Sequence, residues 1–354
     1  MDRLESRTSG ASLLLIFLSL LSLAAPVGWS QETSFGDASK QNANQASGKE
    51  VSASVTTKED WSSLSLTGSN LRASTPLLGE EDNDPDFTRE LLQVQWRSGD
   101  PIDLYVILPK GVKKPPAILY LYSYPNDTDT FRDVDFCKLV TKNGFAAIGF
   151  VSALTGQRYH DRPMREWFIS ELRESLVSSV HDVQMILNYL TTRGDVDMDR
   201  VGMFGEGSGA TIAILTATVE PRIKVLDLLD PWGDWPDWLA KSSLIPKQER
   251  ANYLKPEFLK GVEPLDPVKS LPQLQSRTMQ LQDALYEKVT PGTAKKRIES
   301  AMPATASIVR YKNSHALADR TSGGKFFDWV KEQVRLAHAR ESTVQLAPDA
   351  AKVR

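Results

Sequence analysis

Cysteine is nearly absent from this sequence, and that alone removes several classes of protein. The single residue, Cys137, excludes an internal disulfide. Its neighbours Phe136, Leu139 and Val140 predict a small buried apolar side chain, and no strongly activating partner accompanies it. Histidine is scarce too: four residues, too scattered for a metal site of recognisable spacing, and no zinc or iron motif is present. The chain is therefore read as needing neither a metal nor another cofactor. An excess of one charge is also lacking, with 42 Lys and Arg against 45 Asp and Glu, which leaves no electrostatic footprint for nucleic acid.

A membrane-spanning run is missing as well. Arg3 and Arg7 precede an apolar stretch from Leu13 to Ala25 that is too short to cross a bilayer comfortably. Pro26 breaks it, and Gly28 and Ser30 form a cleavage site before Gln31. This is the pattern of an export signal, residues 1–30, rather than of an uncleaved anchor. No cysteine follows to carry a lipid. The expectation is a secreted or periplasmic protein with no stable membrane anchor once the signal is removed.

From Gln31 to about Asp84 the composition is Ser, Thr, Asn, Gln and Gly, with few apolar residues. Such a stretch buries too little surface to offset its ordering entropy, so residues 31–85 are expected to be a disordered linker. A globular domain is expected over 86–338, and a flexible tail over 339–354. Within the domain, Leu91–Trp96 and Ile102–Leu108 read as strands around the turn Ser98-Gly99-Asp100-Pro101. Ala117–Tyr122 and Phe145–Val151 are continuous apolar runs of the kind buried on both faces, with a helix over Val134–Lys142 between them. Glu166–Leu190 carries apolar residues at helical spacing and ends at Gly194. Further strands are predicted at Arg200–Phe204, Ile223–Asp230, Thr278–Gln282 and Ser307–Tyr311, and a last helix over Gly324–Leu336. Strands alternating with helices after an initial hairpin predict an α/β fold: a mostly parallel central sheet with helices on both faces. The segment 231–276, rich in Pro and Trp, reads as a helical insertion.

The stretch that bears on chemistry is Arg200-Val201-Gly202-Met203-Phe204-Gly205-Glu206-Gly207-Ser208-Gly209-Ala210. An apolar strand enters a glycine-rich turn and leaves it as the helical run Thr211–Thr216, the layout of a nucleophile elbow. Here the chain resembles the α/β-hydrolase superfamily, especially its dienelactone-hydrolase and prolyl-oligopeptidase-like branches, over roughly Phe87 to Leu336. The superfamily motif is G-x-S-x-G. With its outer glycines on Gly205 and Gly209, the nucleophile position falls on Gly207, and Ser208 comes one residue late. A register shift that made Ser208 the nucleophile would put Glu206 and Ala210 at the flanking small positions, and a glutamate fits poorly there. Ser208 is otherwise expected to start the helix and to offer a backbone N–H to an oxyanion.

The resemblance implies partners for that elbow. His315, in Asn313-Ser314-His315 after the last strand, stands where the superfamily places its histidine. Glu287 takes the acid position in the loop after the Thr278 strand, with Asp283 and Asp230 as rivals. The oxyanion loop, Tyr122-Ser123-Tyr124-Pro125-Asn126-Asp127, lacks the familiar His-Gly signature, although a tyrosine hydroxyl or a backbone N–H can serve. The insertion is implied to cap the crevice. Its Trp232, Trp235 and Trp238 read as a core-packing stripe in preference to a substrate-stacking platform. Gln157–Arg162, after a central strand, reads equally as an anion site or a salt-bridged loop. His181-Asp182 reads as ordinary helix surface or packing. Two functions follow from these residues: a hydrolase scaffold that binds a small ester or peptide-like ligand without ordinary serine hydrolysis, or an active esterase or peptidase using Ser208, His315 and Glu287.

Overall fold

The structure, a computed structural model, describes residues 59–97, 100–124, 128–154 and 168–345. The expected export signal and the linker before Glu59 lie outside the described residues. Among those described, no helix is long and apolar enough to cross a membrane.

Nine strands form one sheet: β1 (Leu77–Asn83), β2 (Phe87–Val94), β3 (Ile102–Pro109), β4 (Pro116–Leu121), β5 (Ala146–Phe150), β6 (Asp197–Glu206), β7 (Ile223–Leu229), β8 (Thr278–Ala284) and β9 (Ser307–Tyr311). Their order is β1-β2-β3-β5-β4-β6-β7-β8-β9. The pairs from β1 to β5 are antiparallel, and every pair from β5/β4 to β8/β9 is parallel. The expected mixed α/β sheet is thus present. All of β4 and β5 is buried, as their continuous apolar runs require. The chain steps from β4 to β5 in one direction and from β6 to β7 in the other. The gap between the ends of β4 and β6 is therefore the switch point at which open α/β sheets form a crevice.

Helices cover both faces. Helix α1 (Val134–Thr141) begins at Asp133, whose carboxylate accepts from Phe136 N, and packs with the C-terminal α10 (Asp328–Gln345) over an aromatic cluster of Tyr120, Tyr122, Phe131, Phe136, Phe204 and Phe327. Cys137 lies here, fully buried, with its thiol pushed up to about 11, chiefly by that burial. On the other face lie α2 (Leu172–Arg193), closed by Gly194 at φ 76°, and α3 (Ser208–Val219). The insertion is helical as expected, with α4 (Trp235–Lys241), α5 (Arg250–Tyr253), α6 (Pro256–Val262) and α7 (Pro267–Ser270). It packs on α2 and α3 and continues the core of that face. Trp232, Trp235 and Trp238 are buried, with Trp232 stacked on Trp238 at 4.9 Å between ring centres.

Several sequence expectations need correction. The polar linker does not run to residue 85. Residues from Glu59 onward are held by the domain, and β1 forms from the acidic segment Leu77–Asn83. That strand is a sheet edge with exposed side chains, so it shows no apolar alternation, and its charges discourage edge pairing. The last helix starts at Asp328 rather than Gly324 and continues to Gln345, into the expected tail. Helices α8 (Gly292–Ala301) and α9 (Ser314–Ser322) were not legible from periodicity.

His181 and Asp182 carry the attachment of the early segment and are fully buried. His181 Nδ1 lies 2.6 Å from Glu59 Oε1, and its Nε2 lies 2.9 Å from Ser63 O. Asp182 accepts from Trp96 Nε1 at 2.9 Å and pairs with Arg97, whose guanidinium also donates to Glu59 at 2.7 Å. Burial alone would raise the Glu59 pKa, but hydrogen bonds from Arg97 and His181 outweigh it and lower it to about 2.

A second buried acid behaves oppositely. Asp227, in the middle of β7, accepts from Gln282 Nε2 at 2.8 Å and Gln280 Nε2 at 3.1 Å, while its Oδ2 has no partner. Burial pushes it up to about 7 against those hydrogen bonds. The unfolded chain is ionised above about pH 4 while the folded one keeps the proton, so this group favours the native state least above pH 7. Asp227→Asn is therefore expected to flatten the fall in stability between pH 4 and 7 by up to about 1.4 kcal/mol per pH unit. Urea midpoints at pH 5, 6 and 7 for both proteins check this; equal slopes would contradict it.

Candidate functional site

The elbow is built as the sequence layout requires. β6 ends at Glu206, Gly207 turns the chain, and α3 begins at Ser208. Gly207 has φ 52° and ψ −115°, a strained conformation that only glycine adopts at little cost, and its N–H donates to Leu229 O at 2.8 Å. The flanking glycines answer to close approach. A Cβ on Gly205 would lie 2.5 Å from Ala210 Cα, and one on Gly209 only 2.0 Å from Leu121 O.

At the apex the space a nucleophile side chain would enter is occupied. A Cβ on Gly207 would lie 2.4 Å from Ser123 Oγ, 2.9 Å from Ser123 Cβ and 3.0 Å from Trp232 Nε1. Ser208 is fully buried as the first residue of α3. Its Oγ accepts from Tyr124 N at 2.9 Å, and its own N–H donates to Ser123 Oγ at 3.4 Å. The backbone donors expected for an oxyanion, at Tyr124 and Ser208, are thus directed at serine hydroxyls across the ends of β4 and β6. Tyr122 packs in the aromatic cluster with its hydroxyl buried and without a hydrogen-bond partner among the described residues. Pro125, Asn126 and Asp127, like Gln157–Arg162, lie outside the described residues.

Of the residues expected to form a triad, Ser208 and His315 are not brought together. His315 sits in the first turn of α9 with its side chain 85% exposed, and its Nε2 is 3.7 Å from Asp319 on the next turn. A ring so exposed is not packed against a hydroxyl with no accessible surface, which is what Ser208 presents. Glu287 accepts from Val289 N within its own turn. The rival acids are held by a residue that the sequence reading missed. Lys295 of α8 directs its ammonium to Asp230 Oδ1 at 2.6 Å, Asp283 Oδ1 at 2.9 Å and Ala284 O at 2.6 Å. Nothing distinguishes Lys295 from Lys296 or Arg297 in sequence except the helix face that α8 turns inward.

Glu206 takes a larger part in the site than its sequence position suggested. It lies at the end of β6, partly exposed, with no hydrogen bond or ion pair among the described residues. Burial, then the charges of Asp230 and Glu287, push its carboxyl up to about 7. Asp230, at φ 46°, is also pushed up to about 7 by burial, against the attraction of Lys295. Among the described residues no group of His, Cys, Asp or Glu is arranged to hold a metal ion.

No family profile matches the chain, and neither does any curated protein. Solved structures do. An acetyl xylan esterase from Thermoanaerobacterium superposes with a TM-score of 0.53 at 15% identity, covering 69% of this chain and 82% of that one. One from Paenibacillus gives 0.54 at 15% identity, over 68% and 82%. The acylaminoacyl peptidase of Pyrococcus horikoshii gives 0.50 at 12% identity, over 73% of this chain and 50% of its own. Identities this low speak to architecture alone, and they agree on it: the fold is the α/β-hydrolase fold, shared with esterases and peptidases.

Proposed function

We propose that this is an exported α/β-hydrolase-fold protein whose elbow binds a ligand without serine hydrolysis. The observation that carries the reading is the filled apex: Ser123 and Trp232 stand where a side chain at position 207 would have to go. The burial of Ser208 against Tyr124 N and the exposure of His315 speak against Ser208, His315 and Glu287 as a second route. Removing the nucleophile from a serine hydrolase costs on the order of 10⁶ in rate, so residual turnover would be negligible. The esterases and peptidases that share the fold suggest a small ester or peptide-like molecule as the occupant, held in the crevice between β4 and β6. Export rests on the N-terminal pattern alone.

Treatment with a fluorophosphonate probe tests this reading. The expected result is no covalent labelling, and a labelled Ser208 would overturn it. Gly207→Ser is expected to remain silent towards simple esters, because the new side chain meets Ser123 and His315 is not at hand. It should also lose about 1–3 kcal/mol of stability through overpacking and positive φ. Adding Ser123→Gly should restore part of that stability without activity. Ester hydrolysis by Gly207→Ser at ordinary enzyme rates would show that a working histidine lies within reach.

A further inference from the structure

Two polar groups near the elbow lack partners, and they are neighbours. β4 and β6 pair in parallel with Tyr120 opposite Phe204 and Leu121 opposite Gly205, which brings Tyr122 and Glu206 side by side just past the strand ends. Tyr122 is 6% exposed, its hydroxyl has no hydrogen-bond partner, and the Glu206 carboxylate is close enough to raise its pKa beyond what burial does. A buried hydroxyl without a partner carries a desolvation cost that a bound donor or acceptor would offset. Glu206 is equally unpartnered among the described residues.

The surroundings are acidic and aromatic. Asp230 follows β7 and Tyr286 and Glu287 follow β8. Glu206 responds to the charges of Asp230 and Glu287, and Tyr286 to all three carboxylates. Lys295, the cation that contacts this group, already has its three N–H bonds directed to Asp230, Asp283 and Ala284 O. Among the described residues this group offers carboxylates and tyrosine hydroxyls, and the cation in contact with it is already committed. An anionic ligand would be repelled, and a neutral one would leave the carboxylates unpaired. Among the described residues these carboxylates are not grouped at metal-ligating distance.

We propose that the crevice lined by Tyr122, Glu206, Asp230, Tyr286 and Glu287 binds its ligand through a protonated amine. The ammonium donates to the Glu206 carboxylate and to the Tyr122 oxygen, with Glu287 at the rim and the tyrosine rings adding cation–π attraction. The proposal rests on the reading of the elbow as a binding centre and names the ligand class for it. Burial and the neighbouring carboxylates push the Glu206 carboxyl up to about 7, so its ionised share grows through neutrality and affinity should rise from pH 6 to pH 8.

Benzylammonium and its neutral analogue benzyl alcohol, titrated calorimetrically into the full chain at pH 7.5, test this. Saturable binding of benzylammonium alone is expected, weakened roughly tenfold by Glu206→Gln and by a smaller factor by Tyr122→Phe. Tyr122→Phe loses no hydrogen bond of the free protein, so its melting temperature should be unchanged or raised; a purely structural role would lower it. If Glu206→Gln does not fold, Glu287→Gln at the rim decides in its place. Absence of saturable binding, equal binding of benzyl alcohol, or wild-type affinity in the carboxamide variants would overturn the proposal. Fluorophosphonate treatment of the same sample separates the two readings. Labelled Ser208 with amine binding intact removes the proposed function alone, and an unlabelled protein without amine binding removes this inference alone.

Discussion

Asp182→Ala is expected to lower the free energy of unfolding by about 3–5 kcal/mol, the range for breaking a buried ion pair from one side. The carboxylate has no exposed surface, and among the described residues the Arg97 guanidinium and Trp96 Nε1 donate to it. Removing it takes the closest partner from one arm of a nearly buried guanidinium, which keeps Glu59, Ser178 O and the more distant Asp100, and leaves a buried indole N–H without its acceptor. Domains are stable by only about 5–15 kcal/mol, so the variant would be near the threshold for folding. Asp182→Asn keeps an acceptor for Trp96 and should lose less. Urea denaturation measures both, and limited proteolysis supplies a local readout. The segment from Glu59 to Leu66 is tied to α2 through His181 and Gln184, so cleavage there should accelerate in Asp182→Ala. A loss below about 1 kcal/mol, typical of exposed pairs, would mean the network is solvated.

Gly209→Ala should also be damaging, although it adds one methyl group. The new Cβ would sit 2.0 Å from Leu121 O and 2.4 Å from Leu121 C, backbone atoms of β4 that cannot rotate away. Strand and helix would have to separate where β4, β6 and α3 meet. Overpacking typically costs about 1–3 kcal/mol when side chains can yield, and here backbone must move, so the loss should reach the top of that range or pass it. Each kcal/mol is worth roughly 2–4 °C in melting temperature for a domain of this class, so a fall of roughly 6 °C or more is the expected reading in a thermal melt. Gly261→Ala is the control: it has open space at its Cβ and should change little. A Gly209→Ala protein as stable as the control would mean that the elbow is looser than described.

These two positions also mark how far the sequence could be read. Gly209 was legible, because a glycine at that offset after an apolar strand has a steric reason confined to a few neighbouring residues. The buried strands β4 and β5 were legible for a similar reason, their apolar runs being long enough to declare burial on both faces. β1 was not, because an exposed acidic edge strand has the composition of a linker. Asp182 was placed on the right helix, but its partners Trp96, Arg97 and Glu59 come from segments far away in the chain, and no local pattern announces them.

The candidate site divides along the same line. By itself the sequence determined that the chain turns sharply at Gly207 between a buried strand and a buried helix, and that the residue at the apex brings no side chain. Those are local consequences of glycine spacing and apolar runs. Only the tertiary structure decided that Ser123 and Trp232 fill the apex, that Ser208 Oγ accepts from Tyr124 N, that His315 faces solvent, and that Lys295 holds Asp230 and Asp283. Each depends on which elements the sheet order sets side by side. Contacts between residues tens of positions apart are fixed by packing, and periodicity along the chain carries no record of them.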